Sequence, residues 1–326
     1  MKRTAILIVA AAGVLTLSAC TPPVPVVSPA PSPSEAAAVV ESQAERIIPE
    51  TFTELAAADE AQDSSLLTNR IGGDAKTVRA AQYKQAKADK KLTPDVLPDD
   101  MQAVYVSGAD TWPRVLVGVT EQPAEDITPV VMLWVQDSVD TDYQLRSWAH
   151  MIPGATLPAM ASPATGAAQL ALNDPDMDPT PGTVLENYVK LLTEGKSSEL
   201  NDDFAPDTYR EQLFTARKVL TAAAKKAKGS YKDTVAYDEE SAYVLQTADG
   251  GALIFAPVTI KSTFKVKGAK VSVPAADKAL LSGGKLTTQV VHTYRDQLVL
   301  YIPGPATDSN PGVVAADHNL VKVSPK

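Results

Sequence analysis

Apolar residues recur at Val40, Ala44, Ile47, Phe52, Leu55 and Ala58, close to the period of an α-helix. Just upstream, Ser32-Pro33-Ser34-Glu35 reads as a capping box: Ser32 is the N-cap, Pro33 the first helical residue and Glu35 sits at N3, so the helix is expected to begin there. Pro49 predicts a kink or a split in it. Gly72-Gly73 closes the segment, and a second helix is expected from 74 to about 91. The texture changes after Pro94 and Pro98. Segments 102–107, 112–120, 129–136 and 143–151 are short, rich in Val and aromatic residues, and read as antiparallel strands. Residues 158–182 contain Pro158, Pro163, Pro175, Pro179 and Pro181 with few large apolar side chains, the composition of a linker. The order then repeats. Thr180-Pro181 opens a helix that Gly195 ends, a second runs from Asp207 to about Lys228 before Gly229, and strand-like segments follow at 242–246, 253–266, 286–302 and 319–323.

Helices segregated from antiparallel strands define an α+β class. Each half, 35–157 and 183–326 with 158–182 between them, is read as a helical pair packed on a curved antiparallel sheet. That arrangement resembles the NTF2-like or cystatin-like architecture.

The N-terminus carries an address. Lys2 and Arg3 precede an apolar run over 5–17, the layout of a secretory signal. The run is shorter than the roughly 20 apolar residues a membrane span needs. It ends in Leu17-Ser18-Ala19-Cys20, which resembles a bacterial lipobox. The resemblance implies cleavage before Cys20 and a diacylglycerol on its thiol, with 1–19 as signal peptide and the outer face of the cytoplasmic membrane as the location. Residues 21–34 then hold six prolines, Pro22, Pro23, Pro25, Pro29, Pro31 and Pro33. In polyproline II they form a spacer of up to about 40 Å.

Charge and composition narrow the chemistry. A net charge of -9 disfavours general nucleic-acid binding. One cysteine excludes an intrachain disulfide and any multi-thiolate zinc site, and three histidines (His150, His292, His318) leave little for imidazole chemistry. The charge is uneven: 210–285 holds 13 basic and 7 acidic residues. This stretch is either a surface for anionic lipid or a wall polymer, or a helix end and a solvated strand face carrying lysines. The sequence has no nucleophile elbow, zincin helix, P-loop or dinucleotide fingerprint. Asn173-Asp174-Pro175-Asp176-Met177-Asp178 alternates carboxylates, but Pro179 and Leu185 occupy the glycine and glutamate positions of a calcium loop, and an acidic connection is the plainer reading. No metal or cofactor is expected. His150 beside Trp148 and His292 among strand residues read as packed histidines, and His318 as exposed. Trp112, Arg114, Tyr143 and Trp148 form a candidate ligand platform, with strand core as the alternative.

Together with the lipobox, Trp112-Pro113-Arg114, Tyr143-x-Leu145-x-x-Trp148-x-x-Met151-x-Pro153-Gly154 and Phe204-x-x-Asp207-x-Tyr209-Arg210 resemble an uncharacterised family of actinobacterial cell-envelope lipoproteins. The likeness spans about 36–323 and implies a secreted, membrane-anchored domain without a defined activity. The expected function is a non-enzymatic binding or scaffold module with an envelope protein, lipid or glycan as partner. Two alternatives stand beside it: a carrier holding a lipid or lipid-linked sugar in a sheet cavity, and a small hydrolase or isomerase in which His150 meets an inward carboxylate.

Overall fold

A computed structural model describes residues 37–109, 112–122, 124, 127–162 and 164–325, all within a compact unit formed by Glu35–Lys326. The chain is α+β. Helices α1 (Glu41–Ala61) and α2 (Gly73–Ala88) precede a four-stranded antiparallel meander of β1 (Met101–Val106), β2 (Arg114–Thr120), β3 (Val130–Gln136) and β4 (Gln144–His150). Helices α3 (Pro181–Glu194) and α4 (Thr208–Lys226) precede a five-stranded antiparallel sheet of β5 (Ser230–Tyr237), β6 (Tyr243–Gln246), β7 (Ala252–Lys265), β8 (Gln289–Ile302) and β9 (Gly312–Ser324), with the short α5 (Ala275–Lys278) between β7 and β8. Its order is β5-β7-β8-β9, and β6 also pairs with β7.

The apolar runs explain the layering. In β3 the odd and even positions are both buried, because the two faces enter different cores. Val130, Met132 and Trp134 pack with Ile47, Leu55 and Val78 of α1 and α2. Val131, Leu133 and Val135 pack with Leu253, Phe255 and Val299 of the second sheet. In β7 the alternation continues: Ile254, Ala256 and Val258 face Leu185, Tyr188 and Leu192 of α3. The result is four layers, helices, sheet, sheet, helices, with a core in each of the three gaps.

Both sheet edges are also joined through the backbone. On one side Met151 bridges Ala315, and the Ile152 N–H donates to the Val314 carbonyl at 2.9 Å. On the other, the 158–182 segment connects the two halves while bonding to each. The Ala167 N–H donates to Val106 on the first sheet at 2.7 Å, and the Gln246 N–H to the Ala168 carbonyl at 2.9 Å.

Helix boundaries follow local chemistry. The Thr180 Oγ1 accepts the Thr183 N–H and Asp207 accepts the Arg210 N–H, so α3 and α4 start where the sequence placed them. Gly195 ends α3 at φ 85°, a conformation glycine adopts without penalty. Two expectations need correction. Residues 37–40 are not helical and α1 starts at Glu41, so the first helix does not begin at Ser32; the capping box itself lies outside the described residues. Helix α1 also continues unsplit through Pro49, because Ile47, Ile48, Leu55 and Ala58 are buried on either side and hold it to the sheet. Strand β5 escaped the sequence reading: its eight residues alternate exposed and half-buried, and Lys232 and Asp233 mask the pattern.

Leu133 lies in the inter-sheet core and is 3% exposed. Leu133→Ala should lower unfolding free energy by about 2–5 kcal/mol. In denaturant titrations, tryptophan fluorescence, which reports the first half, and amide exchange in β7 should both shift; a shift confined to the first half would contradict the shared core.

Candidate functional site

The lipobox residues Leu17, Ser18, Ala19 and Cys20 lie outside the described residues. The platform residues separate. Trp112 is 41% exposed and Arg114 stacks over it, guanidinium carbon 4.3 Å from the ring centroid. The stack is favoured because the ring face is electron-rich and the planar cation sheds water easily. Tyr143 is buried in the core under α1 and α2, near enough to feel the Arg114 charge, and burial pushes its phenol up to about 12. Trp148 is 2% exposed in that core, with Arg79 over its ring at 5.3 Å and its indole N–H 3.4 Å from Asp95. Of these four residues, Trp112 and Arg114 stay together, the ring exposed and the arginine half-buried.

Each histidine has a carboxylate partner. His150 Nδ1, at the end of β4, is 2.9 Å from Asp317 on β9. The hydrogen bond and charge of Asp317 raise the His150 pKa against the opposing effect of burial. Burial likewise holds the Asp317 carboxyl above the usual carboxylate range. Asp95, close to both, adds its negative charge to the same effect. His292 Nε2 lies 3.2 Å from Asp277. His318 Nδ1 lies 2.8 Å from Asp296 Oδ2, the same oxygen that accepts the buried Tyr209 hydroxyl at 2.5 Å. Tyr294 stacks between His292 and His318, 6.3 and 3.9 Å from their ring centres.

These carboxylates were not singled out from sequence. Asp296 carries a usable signal: it shares a strand face with the half-buried Tyr294 and the buried Leu298 beside an apolar run, and a carboxylate at an inward position needs a partner. Asp317 is joined to His150 across 167 residues, a distance no local pattern spans. A buried carboxylate on Nδ1 fixes the tautomer and turns Nε2 outward, as in general-base dyads. The pairs stand on sheet faces and at the seam between sheets, not around one cavity.

Three concavities accompany them. A cleft of about 150 Å³ between the sheets is lined by Asp74, Arg146, Ser147, Tyr243, Arg295 and Gln297. Asp74 fills much of its bonding capacity, accepting from Arg295 at 2.9 and 3.0 Å and from Gln297 at 3.0 Å. A groove of about 570 Å³ runs past Tyr105, Val119, Met151, Ile152 and Leu157 at the end of the first sheet. Another, of about 590 Å³, lies between the end of α3 and α4, with Phe214, Arg217 and Lys218 among its residues. In the 173–178 loop, Asp174 accepts the Asp176 N–H at 3.0 Å, and among the described residues no three metal-ligating side chains converge.

His150 should titrate above the ordinary histidine value of about 6.5. A raised folded-state pKa contributes stability that is complete below the unfolded value and disappears as pH rises through the folded one. The stability advantage of the parent over His150→Gln should therefore be largest below about pH 6.5 and fade on the alkaline side. Proton NMR of the imidazole checks this, and Asp317→Asn should bring the midpoint back down.

The family described as Domain of unknown function (DUF8094) matches residues 35–323. No curated protein matches the chain.

Proposed function

We propose that this chain, which belongs to the DUF8094 family over 35–323, is a lipid-anchored lipoprotein of an actinobacterial cell envelope that binds partners through its surface. The observation that carries the surface reading is the filled interior. Side chains occupy all three gaps between layers, and the cleft between the sheets holds about 150 Å³. Enclosed ligand sites usually run from roughly 300 to 1,000 Å³. A lipid or lipid-linked sugar would have to part the packed sheets, so a scaffold fits better than an internal carrier. The anchor rests on the basic residues, apolar run and lipobox of the first 20 residues, and the Pro-rich 21–34 segment supplies reach. Two acyl chains hold a protein stably at a membrane without a spanning helix.

Expressed in a bacterium that processes lipoproteins, the protein should carry diacylglycerol on Cys20 by intact mass and remain in the membrane fraction. Cys20→Ser should lose the lipid mass and move to the soluble fraction. An unmodified Cys20 would overturn the anchor. Crosslinking of the lipidated protein in its own envelope should recover one discrete partner above background; a uniform spread would overturn the scaffold role.

A second reading, a small hydrolase or isomerase, has the His150–Asp317 dyad in its favour. On that reading His150→Ala abolishes turnover in a substrate screen while thermal unfolding shifts little. Equal turnover by parent and variant would dispose of the dyad as a catalytic pair.

A further inference from the structure

The second sheet outruns the first. Strands β7, β8 and β9 have 14, 14 and 13 residues, against 6 or 7 in β1 to β4. Along the face of β7 that looks toward the first sheet, Leu253 and Phe255 are buried in the inter-sheet core. After the buried Pro257, the following positions of the same face are Thr259, Lys261, Thr263 and Lys265. Lys261 is opposite Thr234 on β5 and Thr293 on β8, and Thr293 is opposite Lys322 on β9. Lys232 is opposite Thr263.

More lysines meet this end from the helix. The N–H of Lys267 approaches the Ala227 carbonyl at 3.4 Å, so Lys225, Lys226 and Lys228 at the close of α4 come against the end of β7. From 225 to 270 there are eight lysines, all exposed, and among the described residues none makes an ion pair. No acidic residue occurs in 212–232 or 250–276. Asp233 points to the other face of β5 and is held by Arg217 at 2.9 Å. Helix-dipole compensation accounts for lysines at the α4 terminus. Edge protection accounts for Lys232 on the edge strand β5. Neither accounts for Lys261 and Lys265, because β7 is paired on both sides.

We propose that this lysine-rich end of the second sheet docks onto the anionic headgroups of the membrane that holds the anchor. The inference rests on the lipid-anchor reading above. Charge complementarity favours the membrane: eight unpaired cations stand out of a chain whose net charge is -9. Of these lysines only Lys225 lines one of the grooves described, and Lys232, Lys261 and Lys265 share one face of the sheet. On the anchor reading, the Pro-rich 21–34 segment tethers the unit to the membrane plane through Cys20.

The test uses residues 21–326, which contain the whole compact unit, and sedimentation with vesicles of phosphatidylcholine alone or mixed with phosphatidylglycerol. The protein should partition at least about tenfold better onto the anionic vesicles and lose that preference at roughly 0.5 M salt. Changing Lys232, Lys261, Lys265 and Lys267 to Gln should reduce anionic binding at least about tenfold, and Arg at the same four positions should retain it. Changing Lys84, Lys87, Lys90 and Lys91 to Gln, an equal loss of charge elsewhere, should alter binding less than about twofold. Equal binding to both vesicles, equal loss in the two Gln variants, or capture by soluble polyphosphate with anionic vesicles left unbound would each overturn the proposal. Failure of the anchor reads out separately, as an unmodified Cys20 by mass.

Discussion

The structure depends on one constraint: the central strands of both sheets must be covered on two faces at once. Each strand residue is committed to a helix-side core or to the inter-sheet core, and neighbours are committed to opposite ones. A slip of one residue in β3 would send Trp134 between the sheets and Leu133 toward the helices. Trp134 could not tolerate it, because its indole N–H donates to Thr51 on α1 at 3.0 Å and is otherwise sealed from water. The Thr51 hydroxyl in turn donates to the Ile47 carbonyl at 2.9 Å, so the helix, its register and the strand are fixed together. The inter-sheet core then ties these choices in the first half to those of Leu253 and Phe255 in the second.

Buried polar groups sit where layers meet and act as cross-links. Asp207 caps α4 and accepts the Tyr188 hydroxyl from α3 at 3.0 Å, joining two helices whose apolar faces alone would let them slide. Asp296 joins β8 to α4 through Tyr209 and to β9 through His318. Asp74 carries the same logic between halves, reaching from the first turn of α2 to Arg295 on β8 at 2.7 Å. Unpaired, each of these carboxylates would carry a heavy desolvation penalty, so the arrangement selects one relative placement of the elements. That the histidine pairs fall in this set makes them structural fasteners as well as candidate proton-handling groups.

Local signals carried most of the secondary structure. Thr180-Pro181, Gly195 and Asp207 marked helix ends because capping is settled within one turn. The apolar runs of β3 and β7 marked buried strands for the same reason: composition over six or seven residues is enough. What could not be read was the partner of each run. The inter-sheet core is assembled from residues more than 100 positions apart, and nothing in Val131-Met132-Leu133 distinguishes a sheet from a helix above it. The site suffered most from this. Trp148 lay in a promising aromatic cluster, yet its strand position turns it into the core, while Trp112, just before β2, keeps an open face.

The difference in strand length links packing to surface. The first sheet can cover only part of the second, and beyond it the inner face of β7 and β8 keeps a buried Val291, half-buried Thr259, Thr263 and Thr293, and an uncovered portion at Lys261 and Lys265. Water reaches the uncovered portion, where an apolar face would be an aggregation hazard on wide, flat strands. Threonine meets that demand and retains strand propensity, and Thr259, Thr263 and Thr293 supply it. Solubility alone would be served as well by acidic side chains, which are plentiful elsewhere in this chain. The choice of lysine at Lys232, Lys261, Lys265 and Lys322, with no carboxylate opposite any of them in the strand register, is therefore a choice of sign. A sheet extended beyond its partner and charged in one sense is shaped by what approaches it from outside.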